Sequence, residues 1–313
     1  MTNLAATVAS SLTRPRTRSE RVDLPRRVTL AAAALVVILV GLLLAFIAWN
    51  GTQLFIHSGI PLLQILSGTW HPEASTSAPA IFGLLPFILG TLAVMALAAI
   101  IATPLSVGLA LFMAEVAPRW ARSITQPAME VFVGIPSVVY GWLGLTVLVP
   151  FLRTNLHSLG FTLGFSWFAG SIVLSLMILP TITSVALDAF TTVPAELRRA
   201  SLALGSTRWQ TIRHMLIPAA INGVVTGVVL GMMRAAGEAL AVQMVIGNRP
   251  DIPTGVTDPL TTLTSQITLD MGNTVMGEPW NEALWTMGLI LLLISFTFVT
   301  IVRRLGRSKQ VAQ

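Results

Sequence analysis

The sequence predicts an all-helical membrane protein whose chain crosses the bilayer six times. Three observations carry that prediction. Hydrophobic residues make up 54% of the 313 and charged residues only 10%, with a mean hydropathy of +0.79; a soluble domain carries about 25% charged residues. The apolar residues come in long runs without period-2 alternation, which points to helices rather than a barrel. Of the 19 Arg and Lys residues, all but Arg153, Arg234 and Arg249 fall in two tails and two loops that six crossings place on one side. The positive-inside rule makes that side cytoplasmic. The net charge of +6 is therefore assigned to topology, and no nucleic-acid partner is implied. There is no cysteine, which excludes disulfides, a thiolate nucleophile and a zinc–cysteine site.

Residues 1–27 are polar, Ser/Thr-rich and basic, and read as a disordered cytoplasmic tail. Val28 to Trp49 is the first span, close to the roughly 20 residues a crossing needs. A cleaved signal peptide would have a shorter apolar core followed by an A-x-A site. Residues 50–80 read as an outer loop with a short helix around Pro61–Leu66. Ile81 to Glu115 is the second span, long enough to need a kink, which Thr103-Pro104 supplies. Arg119 and Arg122 mark a cytoplasmic return. Pro127 to Phe151 is the third span, interrupted at Gly134-Ile135-Pro136-Ser137 and holding the only tyrosine, Tyr140. A short outer loop, 152–165, leads to the fourth span, Ser166 to Leu187, with Pro180 inside it. Residues 188–213 are a polar cytoplasmic segment. Met215 to Ile246 is the fifth span, 247–281 a second outer loop, and Asn281 to Val302 the sixth span. The transmembrane domain is thus 28–302, and 303–313 is a basic tail, with both termini cytoplasmic.

In the 188–213 segment Pro194 suits a first helical position and Glu196 the third, near the positive end of the helix dipole. Leu197, Ala200 and Leu204 then share one face, and Gly205 reads as the stop. Thr207-Arg208-Trp209-Gln210 has the spacing of a capping box, so a second helix starts at once and leads through Pro218 to the membrane. Spacing alone fits two uses. One is a helix lying on lipid headgroups. The other is a lever, whose apolar face seats in a groove of a partner and whose turn passes movement to the spans.

The fifth span carries two charges. On a helical wheel with Gly223 at zero and about 100° per residue, Gly227, Gly231 and Ala235 fall at about 40°, 80° and 120°, and Arg234 and Glu238 at about 20° and 60°. Small residues at this spacing let another helix approach closely, so both charges should face protein. An ionised group deep in a span costs about 2.5–3.5 kcal/mol on the mildest scale, and something must compensate. A guanidinium offers the planar fork of donors that an oxyanion takes up. Glu238, one turn on, would hold Arg234 while the site is empty. The alternative is a structural ion pair that fixes helix packing, although base before acid is the weaker order. Ser137 and Tyr140, beside a proline that frees backbone groups, either line a cavity or belong to a packing kink with a capped hydroxyl. The four histidines are too scattered for a metal site. Glu130 is expected to pair with Arg122 or Arg208. Trp49, Trp70, Trp120 and Trp142 read as interfacial or packing aromatics.

No catalytic constellation accompanies these features. A P-loop needs Gly-Lys-Ser/Thr after a strand, and the one lysine, Lys309, follows Ser308. The spans contain no serine–lysine, paired-Asp or HExxH arrangement. The chain is expected to be no enzyme and to use no cofactor.

Ala200-Ser201-x-x-x-Gly205, followed by Met215-Leu216-Ile217-Pro218, resembles the signature loop E-A-A-x3-G-x9-I-x-L-P of ABC importer membrane subunits. Arg199 stands where that loop has Glu, Ser201 where it has its second Ala, and Met215 and Ile217 where it has Ile and Leu. Gly134-Ile135-Pro136-Ser137-Val138-Val139-Tyr140-Gly141, the stretch Arg234 to Val242, and the run Leu84–Pro118 are similar to the phosphate-specific branch of PstC type. In that branch a Thr often follows the Glu, where this chain has Ala239. The resemblance spans residues 80–305. It implies a type I ABC importer permease (MetI-like) fold in a bacterial cell membrane, forming half of a phosphate pathway. Glu196, Leu197, Ala200, Ser201, Leu204 and Gly205 would then couple to a cleft of a separate ATPase, and Arg234, Glu238, Ser137 and Tyr140 would meet the anion. The implied partners are a second permease subunit of PstA type, an ATPase dimer of PstB type and an external phosphate-binding protein of PstS type. Import of sulfate or molybdate, and an ATPase-independent ion-coupled transporter, are the alternatives.

Overall fold

The computed structural model describes residues 19–73 and 79–307. Among them, six helical stretches are long and apolar enough to cross a membrane: Arg26–Ile56, Leu85–Val116, Ser137–Asn155, Trp167–Thr191, Arg208–Ala236 and Pro279–Ile301. The chain falls into two units, divided between Trp49 and Asn50. Most of α1 (Ser19–Ile56) makes up the first. It begins nine residues before the expected Val28, because extending an existing helix adds one hydrogen bond for each residue ordered. The earlier part of the expected N-terminal tail, 1–18, and the last part of the C-terminal one, 308–313, lie outside the described residues.

In the second unit the outer end is built first. The short helix α2 (Leu62–Ile65) falls where the sequence places one. Strands β1 (Trp70–His71) and β2 (Ile81–Phe82) pair antiparallel, with Trp70 opposite Phe82. The Trp70 ring meets the edges of Phe82 and Phe87, with centroids 5.8 and 5.2 Å apart. Trp70 is therefore a packing aromatic. The strand takes up residues expected to open the second span, so α3 (Leu85–Leu111) starts later, at Leu85 with Pro86 in its first turn. Pro86 has no N–H to leave unsatisfied there, and its fixed φ suits a helix start.

The third crossing departs from its expected bounds. An amphipathic helix, α4 (Arg119–Gly134), runs first. The crossing itself is α5 (Ser137–Leu143), a π turn, and α6 (Val149–Asn155). Ile135 and Pro136 between them are extended, since the residue before proline avoids the α region and Pro136 cannot donate to the ladder of α4. The fourth span, α7 (Trp167–Thr191), has the largest buried share of the six, 61%, and so is the core of the unit. The fifth comprises α9 (Arg208–Thr211), a π turn, and α10 (Ile217–Ala236); between it and α7 lies α8 (Ala195–Ala203).

Three π turns in the described residues, Phe112–Val116, Gly144–Leu148 and Ile212–Leu216, lie beside prolines, and in the second and third the helix continues through the proline. Each ends two residues before a proline: Pro118, Pro150 and Pro218. In a regular helix the proline ring presses on the carbonyl four residues back and leaves it without a donor. Widening the turn by one residue moves that carbonyl aside. At the first of them the freed Ala114 carbonyl accepts a bond from Arg122 Nη2 at 3.1 Å.

The segment expected as the second outer loop is more ordered than its composition suggests. It contains α11 (Leu240–Gln243) at its threshold and α12 (Leu263–Asp270), whose N-cap Thr262 accepts from the Ser265 N–H. The Leu263 N–H donates to Thr91 Oγ1 on α3 at 2.9 Å. Residues 261–266 are all buried: the polar run that reads as a loop includes an inserted helix, whose Thr262 hydroxyl bonds within the run and whose Thr264 hydroxyl reaches the Glu238 carbonyl. The sixth span, α13 (Pro279–Arg307), closes the unit.

Candidate functional site: a half-buried arginine and an exposed helix between the fourth and fifth spans

Small residues bring α10 against α7. A Cβ on Gly223 would overlap Ala189; one on Gly227 would lie 3.1 Å from Val185 Cβ, and one on Gly231 2.7 Å from Ile182 Cγ1. This is the close approach that four-residue spacing predicts. Arg234 sits on the same side. Half-buried, it donates from Nη1 to Thr181 Oγ1 of α7 at 2.9 Å. Thr181 lies just beyond the midpoint of α7. Arg234 also occupies the last turn of α10, where the unpaired carbonyls favour a cation.

Glu238 is not where the wheel puts it. The fifth span was expected to continue to Ile246, but α10 stops at Ala236 with Gly237 as its cap, and α11 starts three residues later. Gly237 weakens the helix interior, and the Glu238 carboxylate competes for backbone donors ahead. Its Oε1 accepts the Ala241 N–H at 3.2 Å and so caps α11. Its carbonyl accepts from Thr264 Oγ1 at 2.9 Å. Arg234 and Glu238 form no ion pair among the described residues. They flank a helix break.

The other break comes to meet this one. Tyr140 is buried and donates to the Phe132 carbonyl at 2.8 Å, across the Ile135-Pro136 gap. Ser137 opens α5, half-buried. A Cβ on Gly141 would lie 2.9 Å from Ala241 Cα, so α5 and α11 pack backbone to backbone. Beside the contact opens a cavity of about 470 Å³ lined by Val138, Leu240, Gln243, Met244 and Asn248. Arg234, Glu238 and Tyr140 thus gather around two helix breaks. Thr181 and Thr264 belong to the same arrangement, and the sequence reading passed over both. The one signal was a hydroxyl next to Pro180 in an otherwise apolar run.

In the 188–213 segment the local expectations hold. Gly205 has φ +83° and ends α8, a conformation open to glycine at little cost. Thr207 and Gln210 make both bonds of the capping box, at 3.3 and 2.8 Å. Which way α8 faces is new. From Pro194 to Gly205 all residues but Arg198 and Ser201 are exposed, Leu204 at 88%. Leu197, Ala200 and Leu204 look away from the spans and flank a shallow groove beside Gly205 and Met215. Arg198 and Ser201 turn inward. Ser201 Oγ lies 3.0 Å from Thr211 Oγ1 of α9. Glu130 pairs with neither Arg122 nor Arg208: Arg122 is turned to the Ala114 carbonyl, and Glu130 lines a separate cavity with Gln126, Ser184 and Asp188.

Comparison with known proteins adds the family. Residues 106–311 match the model of the family described as "Binding-protein-dependent transport system inner membrane component". The probable ABC transporter permease protein YqgH of Bacillus subtilis (strain 168) is 48% identical over 91% of each chain. The phosphate transport system permease protein PstC of Xylella fastidiosa (strain 9a5c) is 34% identical, over 88% of this chain and 87% of that one. Among solved structures, a bacterial alginate ABC transporter bound to its periplasmic protein superposes with a TM-score of 0.61 at 17% identity, covering 91% of this chain and 96% of that one. The MetNI methionine ABC transporter in an inward-facing form gives 0.53 at 20% identity, covering 72% and 96%. At such identities the likeness shows the fold: that of MetI-type importer permeases.

Proposed function

The chain belongs to the family of binding-protein-dependent transport system inner membrane components, and we propose that it is the half of an ATP-driven importer's pathway that handles phosphate. As a permease subunit of an ABC importer it is a multi-pass membrane protein, and ATP hydrolysis belongs to separate subunits. One observation carries the choice of an anion. Arg234 is half-buried between spans, and its partner is a neutral hydroxyl rather than a carboxylate. A guanidinium has five N–H donors in a fixed fork. Thr181 takes up one of them, and the positive charge stays uncompensated by any acid. Such a group favours an oxyanion, which supplies both the charge and several acceptors. Glu238, across the break, keeps a negative charge nearby that limits how tightly the anion is held. The PstC relatives, named as phosphate permeases, support phosphate as that anion.

The cytoplasmic side supports the rest. A helix that turns its leucines outward needs a partner to cover them, and an ATPase pair of PstB type fits that need, docking on Leu197, Ala200 and Leu204. A second permease of PstA type would complete the pathway, a phosphate-binding protein of PstS type would load it from outside, and both termini would be cytoplasmic. Arg234→Ala should abolish phosphate uptake while the protein still inserts and assembles. Arg234→Lys should be impaired too, since a point charge does not reproduce the fork. Normal uptake by a stably expressed Arg234→Ala protein would remove the proposal. Competition by sulfate and molybdate separates phosphate from other oxyanions.

A further inference from the structure

Resting on that reading, we propose that Arg198 is the positioning residue that ties α8 to the second and fourth spans, so that displacement of α8 moves both. Its guanidinium bridges two elements. Nη1 lies 3.0 Å from Glu115 Oε1, and Nη2 donates to the Phe190 carbonyl at 2.7 Å. Glu115 stands in the π turn that ends the second span. Phe190 is fully buried near the end of α7, in a cluster with Ala110, Ala186, Leu216 and Val224 that joins the second, fourth and fifth spans. The ion pair is partly shielded, with side chains 25% and 22% exposed. The Phe190 carbonyl is the hydrogen-bonded acceptor, and Glu115 contributes an ion pair by proximity, its Oε1 having no hydrogen-bond partner among the described residues; a guanidinium can reach both at once, which a compact ammonium cannot.

The rest of α8 makes this link matter. Leu197, Ala200 and Leu204 are exposed. Among the described residues, the polar fastenings of α8 to its neighbours are Arg198 and the Ser201–Thr211 hydroxyl contact to α9. A push received on Leu197 and Leu204 reaches the spans through these few polar links as well as through the chain connections. Arg199, one residue on, is exposed and carries the same charge without the link.

The test uses the whole transporter in proteoliposomes, with phosphate uptake and ATP hydrolysis measured in the same vesicles. In Arg198→Gln the ATPase subunit should still co-purify and ATP turnover should persist, while phosphate moved per ATP falls by about tenfold, within the range typical of coupling between sites. Glu115→Gln should lose less, because the Phe190 contact remains. The exchanged pair, Arg198→Glu with Glu115→Arg, should recover part of the ratio. Arg199→Gln should match wild type. A wild-type ratio in Arg198→Gln overturns the proposal, as does an equal loss in Arg199→Gln, which would place the effect at the ATPase surface. A wild-type transporter that carries no phosphate is a separate outcome, and it overturns the choice of cargo on which the strut rests.

Discussion

Replacing Arg234 by Met separates a transport residue from a structural one, because the two readings predict opposite signs for stability. The balance is set by four contributions. An ionised arginine in a span costs about 2.5–3.5 kcal/mol on the mildest scale. Its hydrogen bond to Thr181 returns about 1.5–3 kcal/mol, the range for bonds to charged groups. Thr181, once released, can turn its hydroxyl to its own helix, as helical threonines do, so its loss adds little. Its place in the last turn of α10 returns about 0.3–1 kcal/mol more, so the net is a residue that destabilises the empty protein by less than about 1 kcal/mol. Arg234→Met, similar in length and without charge, should therefore raise the melting point in detergent.

Ligand addition gives the second half. A ligand at 100 times its Kd stabilises the state that binds it by about 2.7 kcal/mol. Saturating phosphate should raise the melting point of the wild-type protein and leave Arg234→Met unmoved, with sulfate as the control anion. A variant that melts well below wild type would show that Arg234 holds the helices together. A variant that phosphate still stabilises would show that the anion is bound elsewhere. Either result refutes the reasoning.

Two other substitutions test the two faces of the molecule. Leu204→Glu, at a position 88% exposed, should leave the melting point of the isolated permease unchanged and abolish co-purification of the ATPase; retention of the ATPase would move the docking surface off α8. In the loop between the fifth and sixth spans, Asp258 accepts from the Thr254 hydroxyl and from the N–H groups of Gly255 and Thr254. The Thr254 hydroxyl first, and then the Gly255 and Thr254 N–H groups, hold its carboxyl below the usual carboxylate range. A lowered folded pKa means that the stabilisation of this turn is complete above the unfolded value of about 3.9 and is lost as pH falls through the folded one. Limited proteolysis of the 249–260 loop should rise below that pH in wild type and be pH-independent, and already high, in Asp258→Asn.

What the sequence could show depended on how far each signal reaches along the chain. The Gly223, Gly227 and Gly231 ladder and the capping box at Thr207 are local, and both appear in the structure as read. The break at Gly237 did not show. Ala-Gly-Glu-Ala-Leu is a run of good helix formers with one glycine, and one glycine costs a helix only about 1 kcal/mol. The choice is made by tertiary partners: Thr264 bonds the Glu238 carbonyl from 26 positions away, and Thr181 meets Arg234 across 53. Neither distance leaves a periodic trace. The second outer loop misled for a related reason, since Thr and Ser are loop-like only when water satisfies them.

The orientation of α8 shows the limit most clearly. Periodicity groups Leu197, Ala200 and Leu204 on one face, but it does not say whether that face looks in or out. The usual inference, apolar side inward, fails here because the inward side has oxygens ready: the Phe190 carbonyl at a helix end, Glu115 at a π turn and Thr211 in α9. Two of these three exist because a helix ends or widens there. Pro118 helps to set the π turn that holds Glu115, and Pro194 follows soon after the end of α7, near Phe190. Those two prolines thus do more than interrupt helices. They expose the oxygens that turn α8 over, and an overturned α8 leaves its leucines free for another chain while its arginine grips the spans.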